Sequence, residues 1–247
     1  MRVKNKLSGT FPIIFHSPDL NDAWSVLKSR YFKHNHDQEK IPKNLSIITW
    51  NNLEKGVLER SLDIKKIPYI KTGSGIEIWN NLFKFDLTLE AIKNCDSEYF
   101  IGLDSHDVIF LGSPKEALSK FKELGCELIF NGEMRFYPGI QNAYFNENKK
   151  FQEKIGLGSK FKFLNSGAWM GKREFCLDFF EKCSQIKIWD IFDCSDHINL
   201  YNCDQSVVHD IFRLNSDNVK IDYENNIFCN MAYFKKNNIE FQEIKIY

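Results

Sequence analysis

The sequence predicts an α/β fold in which a mainly parallel sheet is flanked by helices. Tyr99 to Asp104 is a six-residue, mostly apolar run, which is typical of a strand buried on both faces. Pro114 to Leu124 follows as a helix with proline first and Gly125 just past its end. Cys126 to Phe130 then reads as the next strand, and such a β-α-β succession predicts parallel neighbours joined by a right-handed crossover.

Composition limits the possible classes of protein. With 247 residues, 43% of them hydrophobic, the chain can build the core of one large domain. Lys plus Arg and Asp plus Glu both number 33, which argues against a nucleic-acid binder that works through bulk charge. The seven scattered cysteines favour reduced thiols. No apolar run approaches the roughly 20 residues of a membrane span, so we expect a cytoplasmic protein without a transmembrane segment.

The chain divides into two predicted regions. We expect residues 1–43 to form an N-terminal extension or an edge of the domain, and residues 44–247 to form the main domain. Within the latter, Asn44 to Asn52 reads as a strand and Leu53 to Leu62 as a helix. A longer helix is predicted over Ile78 to Asn94 from its apolar stripe.

The second half of the chain contains more loops. Phe136 to Lys162 is predicted to be loop-rich because of its glycines and Pro138. Lys160 to Gly171 alternates as a strand does, and Gly167 inside it indicates the close approach of a ligand or of another backbone. Asp204 opens a further predicted helix, and it is also a good N-cap residue.

Two carboxylates, Asp104 and Asp107, stand where the buried strand ends. In a continued strand these positions would face opposite sides of the sheet, so a shared site requires a turn at Ser105 and His106. Ligands bind at the carboxyl edge of open α/β sheets. Paired hard oxygen ligands there suit Mg²⁺ or Mn²⁺, especially one that carries a diphosphate. The alternative is an acidic surface turn.

The order of the motifs resembles a GT-A glycosyltransferase, with its Rossmann-like sheet. More narrowly, it is similar to the glycosyltransferase domain of the procollagen lysyl hydroxylase family over Asn44 to Met231. The first matching motif is DSHD (Asp104 to Asp107), followed by GSP. The others are Asn131-Gly132-Glu133, the segment from Phe163 to Gly171 that begins with FLNSG, Asp204-Gln205, Ile48-Thr49-Trp50, and Lys84 with Leu87.

The resemblance implies a hexosyltransferase that uses a UDP-sugar, UDP-glucose or UDP-galactose, with Mn²⁺ or Mg²⁺ as cofactor. The acceptor is a hydroxyl on a glycan, a lipid or a protein, and no nucleic acid is involved. The residues that the resemblance places at the metal are Asp104 and Asp107. At the nucleotide of the donor it places Thr49, Asn51 and Asn52, with Trp50 or Trp79 stacking on a ring. At the diphosphate it places Lys84 and Asp104, and at the sugar it places Asn165, Ser166 and Gly167.

Glu133 and Asp204 are the catalytic candidates that the resemblance implies. Either could hold sugar hydroxyls, and either could act as base on the acceptor hydroxyl. The alternative interpretation of both is helix capping or surface charge.

One departure concerns the third metal ligand. The family has Asp-His before Ile-Phe, and the histidine completes its metal shell, whereas Tyr223 occupies that position here. A phenol with a pKa of about 10 is a poor ligand at neutral pH, which leaves Asp222, Asn225, or water and diphosphate as substitutes. His209, the nearest other histidine in sequence, is predicted to be structural. The departure keeps open an alternative function, a catalytically inactive GT-A domain that binds a nucleotide or a partner protein.

Overall fold

The structure is a computed structural model, and it describes residues 1–139, 143–187 and 202–242. The strands are β1 (Arg2–Asn5), β2 (Ile14–His16), β3 (Leu45–Trp50), β4 (Ile70–Thr72), β5 (Tyr99–Asp104), β6 (Val108–Phe110), β7 (Leu128–Glu133), β8 (Phe163–Lys172), β9 (Val219–Asp222), β10 (Phe228–Asn230) and β11 (Ile239–Gln242). The helices are α1 (Asp22–Lys33), α2 (Val57–Ile64), α3 (Phe83–Lys93), α4 (Pro114–Leu124), α5 (Ala143–Ile155), α6 (Arg173–Gln185) and α7 (Asp204–Leu214), with a 3₁₀ turn at Lys236–Asn238.

A six-stranded sheet in the order β4-β3-β5-β8-β7-β9 forms the centre of the fold. Within it β8 alone runs antiparallel to its neighbours, so the predicted mainly parallel sheet flanked by helices is confirmed. The prediction that β5 and β7 are neighbours is wrong. They run in the same direction, but β8 pairs with both of them and separates them, a placement that the local sequence does not encode.

Alternate residues of β5 enter two different hydrophobic clusters. Phe100 joins a cluster built with α3, α6 and α7, whereas Ile101 and Leu103 join one built with α2 and α4. Both faces of the central sheet are therefore covered, which explains why the sequence of β5 is a continuous apolar run.

A second sheet of three strands has the order β10-β2-β6. After a bend at residues 105–107 the chain continues as β6, a strand that the sequence analysis did not predict. β2 runs antiparallel to β6 and parallel to β10, and β1 pairs with β11. The first residues of the chain are thus paired with strands from its last quarter, while the division into 1–43 and 44–247 remains a prediction.

Two predicted helices begin later than their sequence patterns indicated. Helix α2 begins at Val57 because Gly56 donates its backbone N–H to Glu59, and Leu53 is left 63% exposed. Helix α3 begins at Phe83, and Ile78 is 86% exposed. In both cases apolar residues that extended the predicted stripe lie in the preceding loop.

The loop-rich prediction for Phe136 to Lys162 is wrong over Ala143–Ile155, which form α5. The buried positions of this helix are Phe145, Asn148 and Gln152. Two of the three are amides, so the helical spacing is present without the hydrophobic periodicity that normally reveals it.

Within the described ranges, no helix combines the length and apolar character needed to cross a bilayer. The six cysteines of those ranges are free thiols, as predicted, and Cys194 lies outside the described residues.

Gly102 on β5 should be essential to this packing. A Cβ at this position would lie 2.2 Å from the ring of Trp169, which stands opposite on β8. We expect Gly102→Ala to lower the free energy of unfolding by about 1 to 3 kcal/mol, as overpacked cores do. Urea denaturation measures this change. Gly139→Ala is the control, because its added methyl group meets nothing within 4 Å; equal effects of the two substitutions would contradict the packing argument.

Candidate active site

A cavity of about 640 Å³ opens where β5 and β7 end. It brings together residues from β2, α3, β5, β7, β8 and α7. Its acidic and basic lining residues are His16, Asp19, Lys84, Asp104, Asp107, Glu133, Arg135 and Asp204. A groove of about 750 Å³ between the N-terminal segment and α4 is larger, but it contains none of the predicted site residues, so we place the candidate site in the smaller cavity.

The predicted turn after β5 is present and brings the two carboxylates to one side. Ser105 fixes it by donating its hydroxyl to Glu59 Oε2 at 2.6 Å. Asp107 Oδ2 then lies 3.1 Å from His16 Nε2, and Asp104 Oδ2 lies 3.9 Å from the same nitrogen. One ligand atom from each of the three residues lies within 4.8 Å of the others. We call His16, Asp104 and Asp107 the metal cluster.

The chemistry of this cluster fits a divalent cation. Carboxylate oxygens suit Mg²⁺ and Mn²⁺, and an imidazole nitrogen favours a transition metal. Burial lowers the pKa of His16, but Asp107 and Asp104 outweigh it and raise that pKa above its ordinary value. Burial would raise the pKa of Asp107, yet the contact with His16 lowers it. Each of the two residues thus stabilises the charged form of the other.

An irregularity in β8 gives the cluster its room. Phe130 of β7 pairs with Trp169, but the next residue, Asn131, pairs with Asn165, so residues 166–168 have no partner on β7. Such bulges re-aim side chains next to active sites. A Cβ on Gly167 would lie 2.4 Å from Asp104 Oδ2 and 2.6 Å from His16 Cε1. The groups that approach Gly167 are these two side chains and not another backbone, while the approach of a ligand stays a prediction.

Lys84 compensates two of the carboxylates. It is the second residue of α3, and its Nζ lies 2.7 Å from Asp104 Oδ1 and 3.4 Å from Asp204 Oδ2. Burial lowers the pKa of Lys84, but the neighbouring carboxylates raise it further, so the net pKa is above its ordinary value. Lys84 is therefore a fixed positive charge next to the metal cluster.

Asp204 faces the cavity as the first residue of α7. The N-cap position is Cys203, so the interpretation of Asp204 as the N-cap is wrong. Its Oδ2 accepts a hydrogen bond from Ser166 Oγ at 3.0 Å and is the same atom that approaches Lys84. The carboxylate is held by one hydroxyl and one ammonium group.

Glu133 has a different environment at the end of β7. Gln205 Nε2 donates to Glu133 Oε1 at 2.7 Å, and Asn165 Nδ2 lies 3.3 Å from Glu133 Oε2. Burial raises the pKa of Glu133 to about 8 despite these hydrogen bonds. At neutral pH this side chain is mainly a neutral acid.

The nucleotide residues predicted on β3 lie outside the cavity lining. Thr49 and Asn51 are buried, and their polar groups bond to Leu103 O and to Glu59 Oε1. Their contact with the nucleotide stays a prediction. Asn52 donates to the carbonyl of Ile76. The first strand ends in a loop that uses these amides for its own turns.

The two tryptophans proposed to stack lie near the site without lining the cavity. The ring of Trp50 lies 5.5 Å from Lys84 Nζ, beneath the cation. Trp79 donates its indole N–H to Asn81 Oδ1, and Asn81 lines the cavity. Stacking on a bound ring remains a prediction for both.

The substitutes considered for the third metal ligand lie outside the metal cluster. Asp222 accepts three backbone N–H groups, including those of Ile227 at 2.7 Å and Phe228 at 2.9 Å, and thereby shapes the turn into β10. Burial raises the pKa of Tyr223 to about 12. Asn225 is also structural, since its Oδ1 accepts a hydrogen bond from Asn5.

Sequence reasoning missed His16, which the structure places beside Asp104 and Asp107. It lies 91 residues from Asp107 in the chain, and no short motif joins them. The one available signal of a site residue was the apolar run Pro12 to Phe15, which is followed directly by His16. His209, by contrast, is fully enclosed by protein partners: Tyr137 O lies 2.8 Å from Nε2, Gln152 lies 2.8 Å from Nδ1, and burial lowers its pKa to about 4.

The sheet and the acidic edge beside it define the class of GT-A glycosyltransferase domains. Comparison with known families supports this class, because the sequence model of the PLOD GT domain matches residues 72–245. The chain belongs to the PLOD glycosyltransferase domain family.

Three relatives show how much of the sequence is similar to that of known proteins. The human multifunctional procollagen lysine hydroxylase and glycosyltransferase LH3 is 37% identical over 89 residues, 34% of this chain and 11% of that protein. A Drosophila melanogaster procollagen-lysine,2-oxoglutarate 5-dioxygenase is 36% identical over 92 residues, 36% and 12% of the two chains. The uncharacterized protein R699 of Acanthamoeba polyphaga mimivirus is 30% identical over 90 residues, 36% and 18%. The matched segment spans less than a fifth of each relative.

Gly167→Ala should damage the metal cluster without damaging the fold. Its methyl group would displace Asp104 and His16, so we expect Mn²⁺ affinity to fall about 10- to 100-fold, the usual cost of disturbing ligand positions. Electron paramagnetic resonance of free Mn²⁺ measures the affinity. Gly139→Ala is the control, because Gly139 lines the same cavity but its added methyl group would meet nothing within 4 Å. This variant should bind Mn²⁺ with wild-type affinity. Unchanged affinity in Gly167→Ala would place the cation elsewhere.

Asp222→Asn should lower the stability of the fold without changing Mn²⁺ affinity, because Asp222 supports a turn. An amide offers one acceptor oxygen where the carboxylate offered two, so we expect unfolding to become easier by about 1 to 3 kcal/mol. Mn²⁺ affinity of the folded variant should be unchanged. A variant of wild-type stability that no longer bound Mn²⁺ would restore Asp222 as a ligand.

Proposed function

We propose that the chain is a Mn²⁺- or Mg²⁺-dependent glycosyltransferase. It moves a hexose, glucose or galactose, from a UDP-sugar to the hydroxyl of a glycan, lipid or protein acceptor. The observation that carries this proposal is the convergence of the metal cluster, Lys84 and two further carboxyl groups on one cavity at the carboxyl edge of the sheet. Family membership supports the transferase activity, while the donor and the cation are inferred from the site.

The metal cluster and Lys84 meet the electrostatic demands of a diphosphate leaving group. His16, Asp104 and Asp107 would hold the cation, which neutralises negative charge that builds on UDP. Lys84 adds a permanent cation from the first turn of α3, a position at which a helix also favours anions. The site thereby supplies positive charge where the bond to the sugar breaks.

The sugar would lie along the irregular part of β8. Ser166 and Gly167 line the cavity between Asp104 and Asp204. The side chain of Asn165 is fixed between Glu133 and Gln205, each 3.3 Å from its Nδ2. Such a rigid polar wall suits the ordered recognition of hydroxyl groups.

Asp204 is the better candidate for the base. Its Oδ2 lies 3.4 Å from Lys84 Nζ and accepts a hydrogen bond from Ser166, so the carboxylate is held in place at the cavity. Glu133 has its pKa raised to about 8 by burial, so at neutral pH it is suited to hydrogen-bonding a sugar hydroxyl. The two carboxyl groups named from the sequence therefore receive separate roles.

The alternative of an inactive, nucleotide- or partner-binding domain rested on Tyr223. Because His16 stands beside Asp104 and Asp107, a tyrosine at position 223 no longer argues against a complete metal site. The printed names of LH3 and the insect relative also include hydroxylase or dioxygenase activities. We propose only the transferase for this chain, because the matching family is that of the glycosyltransferase domain.

Joint binding of UDP and Mn²⁺ should stabilise the protein. At about 100 times the dissociation constant, a ligand adds about 2.7 kcal/mol to the free energy of unfolding. We expect a thermal-shift assay to show a rise in Tm with UDP and Mn²⁺ together that exceeds the sum of their separate effects. Asp107→Asn should remove that excess. An excess that persists in Asp107→Asn would exclude Asp107 from the site, and none in the wild type would argue against a UDP-sugar donor.

Asp204→Asn and Glu133→Gln should differ at pH 7. Loss of a general base costs about 10² to 10⁴ in rate, so we expect Asp204→Asn to lower kcat for UDP-sugar turnover by at least 100-fold. Glutamine resembles the neutral acid, so Glu133→Gln should lose much less. Release of UDP from UDP-glucose and UDP-galactose measures both. A reversed order of the two losses would exchange the proposed roles.

A further inference from the structure

Asn131 lies behind the metal cluster and has no role in the account so far. It is fully buried on β7, at the residue where the pairing with β8 shifts register. Its Nδ2 lies 3.4 Å from His16 Nδ1. Its Oδ1 is buried and has no hydrogen-bond partner among the described residues. Buried amides are normally satisfied, so this one calls for a physical explanation.

The two nitrogens of His16 explain it. They lie on opposite sides of the ring: Nε2 is 3.1 Å from Asp107 Oδ2, inside the metal cluster, whereas Nδ1 faces the buried amide of Asn131. When one nitrogen of a histidine binds a metal ion, the partner of the other nitrogen fixes the orientation of the ring. Asn131 is placed to be that partner.

A cation at Nε2 would set a requirement at Nδ1. A metal ion would take the lone pair of Nε2, so the ring proton of a ligating His16 would be on Nδ1. The new Nδ1–H then needs an acceptor, and Asn131 is the described side chain that faces this nitrogen. Rotating the amide by half a turn replaces Nδ2 with Oδ1 at that place. The rotation breaks no hydrogen bond of Oδ1, because Oδ1 has none.

We propose that Asn131 is a positioning residue for the cation. Its Oδ1 accepts the Nδ1–H of His16 whenever Nε2 binds the metal, which fixes the tautomer and the orientation of the ring. The inference rests on the proposed metal-dependent function. An amide or a carboxylate offers an acceptor oxygen at this position, whereas an apolar side chain offers none.

The test compares four forms of the full chain: wild type, Asn131→Leu, Asn131→Asp and Asn148→Leu. Asn148 is the matched control, because it is also a buried amide with an unpartnered Oδ1, but it lies on α5 outside the cavity. Mn²⁺ affinity is measured by electron paramagnetic resonance of the free ion, and urea denaturation checks that each variant is folded.

We expect Asn131→Leu to weaken Mn²⁺ binding about 10- to 100-fold, as loss of an outer hydrogen bond to a ligating histidine does. Asn131→Asp should bind at least as tightly as the wild type, and Asn148→Leu should be unchanged. A purely structural role predicts that Asp does not rescue the Leu defect, or that both leucine variants lose affinity equally. Either result overturns the inference, as does wild-type affinity in Asn131→Leu. Failure of the wild type to bind Mn²⁺ would overturn the proposed function as well.

Discussion

The compensation of buried carboxylates is the constraint on which the site depends. Asp104, Asp107, Asp204 and Glu133 line one cavity, and ionised carboxylates are costly to bury without partners. Lys84 reaches two of them from α3, and His16 reaches Asp107 from β2. Glu133 lies beyond this compensation, and burial accordingly raises its pKa to about 8. The same charges that compensate the buried carboxylates therefore underlie the separate roles that we propose for Asp204 and Glu133.

The irregular pairing of β8 turns this charge arrangement into a cavity. Regular pairing would continue β8 alongside β7, whereas residues 166–168 instead leave that ladder. Gly167 lets Asp104 and His16 approach the strand, and Ser166 reaches Asp204. The shift also sets Asn131 behind His16. One local departure from sheet geometry thus positions the metal cluster, the residues that we propose to contact the sugar, and the residue that we propose as the support of the cluster.

The sequence predicts the parts of the site that short segments encode. Asp104 ends a recognisable strand and Asp107 follows it, while Asp204 begins a recognisable helix, so the sequence predicted all three residues. His16 was missed because it joins the site through pairing of β2 with strands more than 90 residues away, which no local pattern records. The fold shows the same division: α4, with its proline and glycine ends, was predicted closely, whereas the position of β8 between β5 and β7 was not.

A crystal structure with UDP and Mn²⁺ would test the central claim most directly, because the anomalous scattering of manganese locates the ion. The account predicts one manganese peak bounded by His16 Nε2 and by carboxylate oxygens of Asp104 and Asp107, with the diphosphate between that peak and Lys84. A manganese peak elsewhere, or diphosphate density that avoids this cavity, would contradict the account.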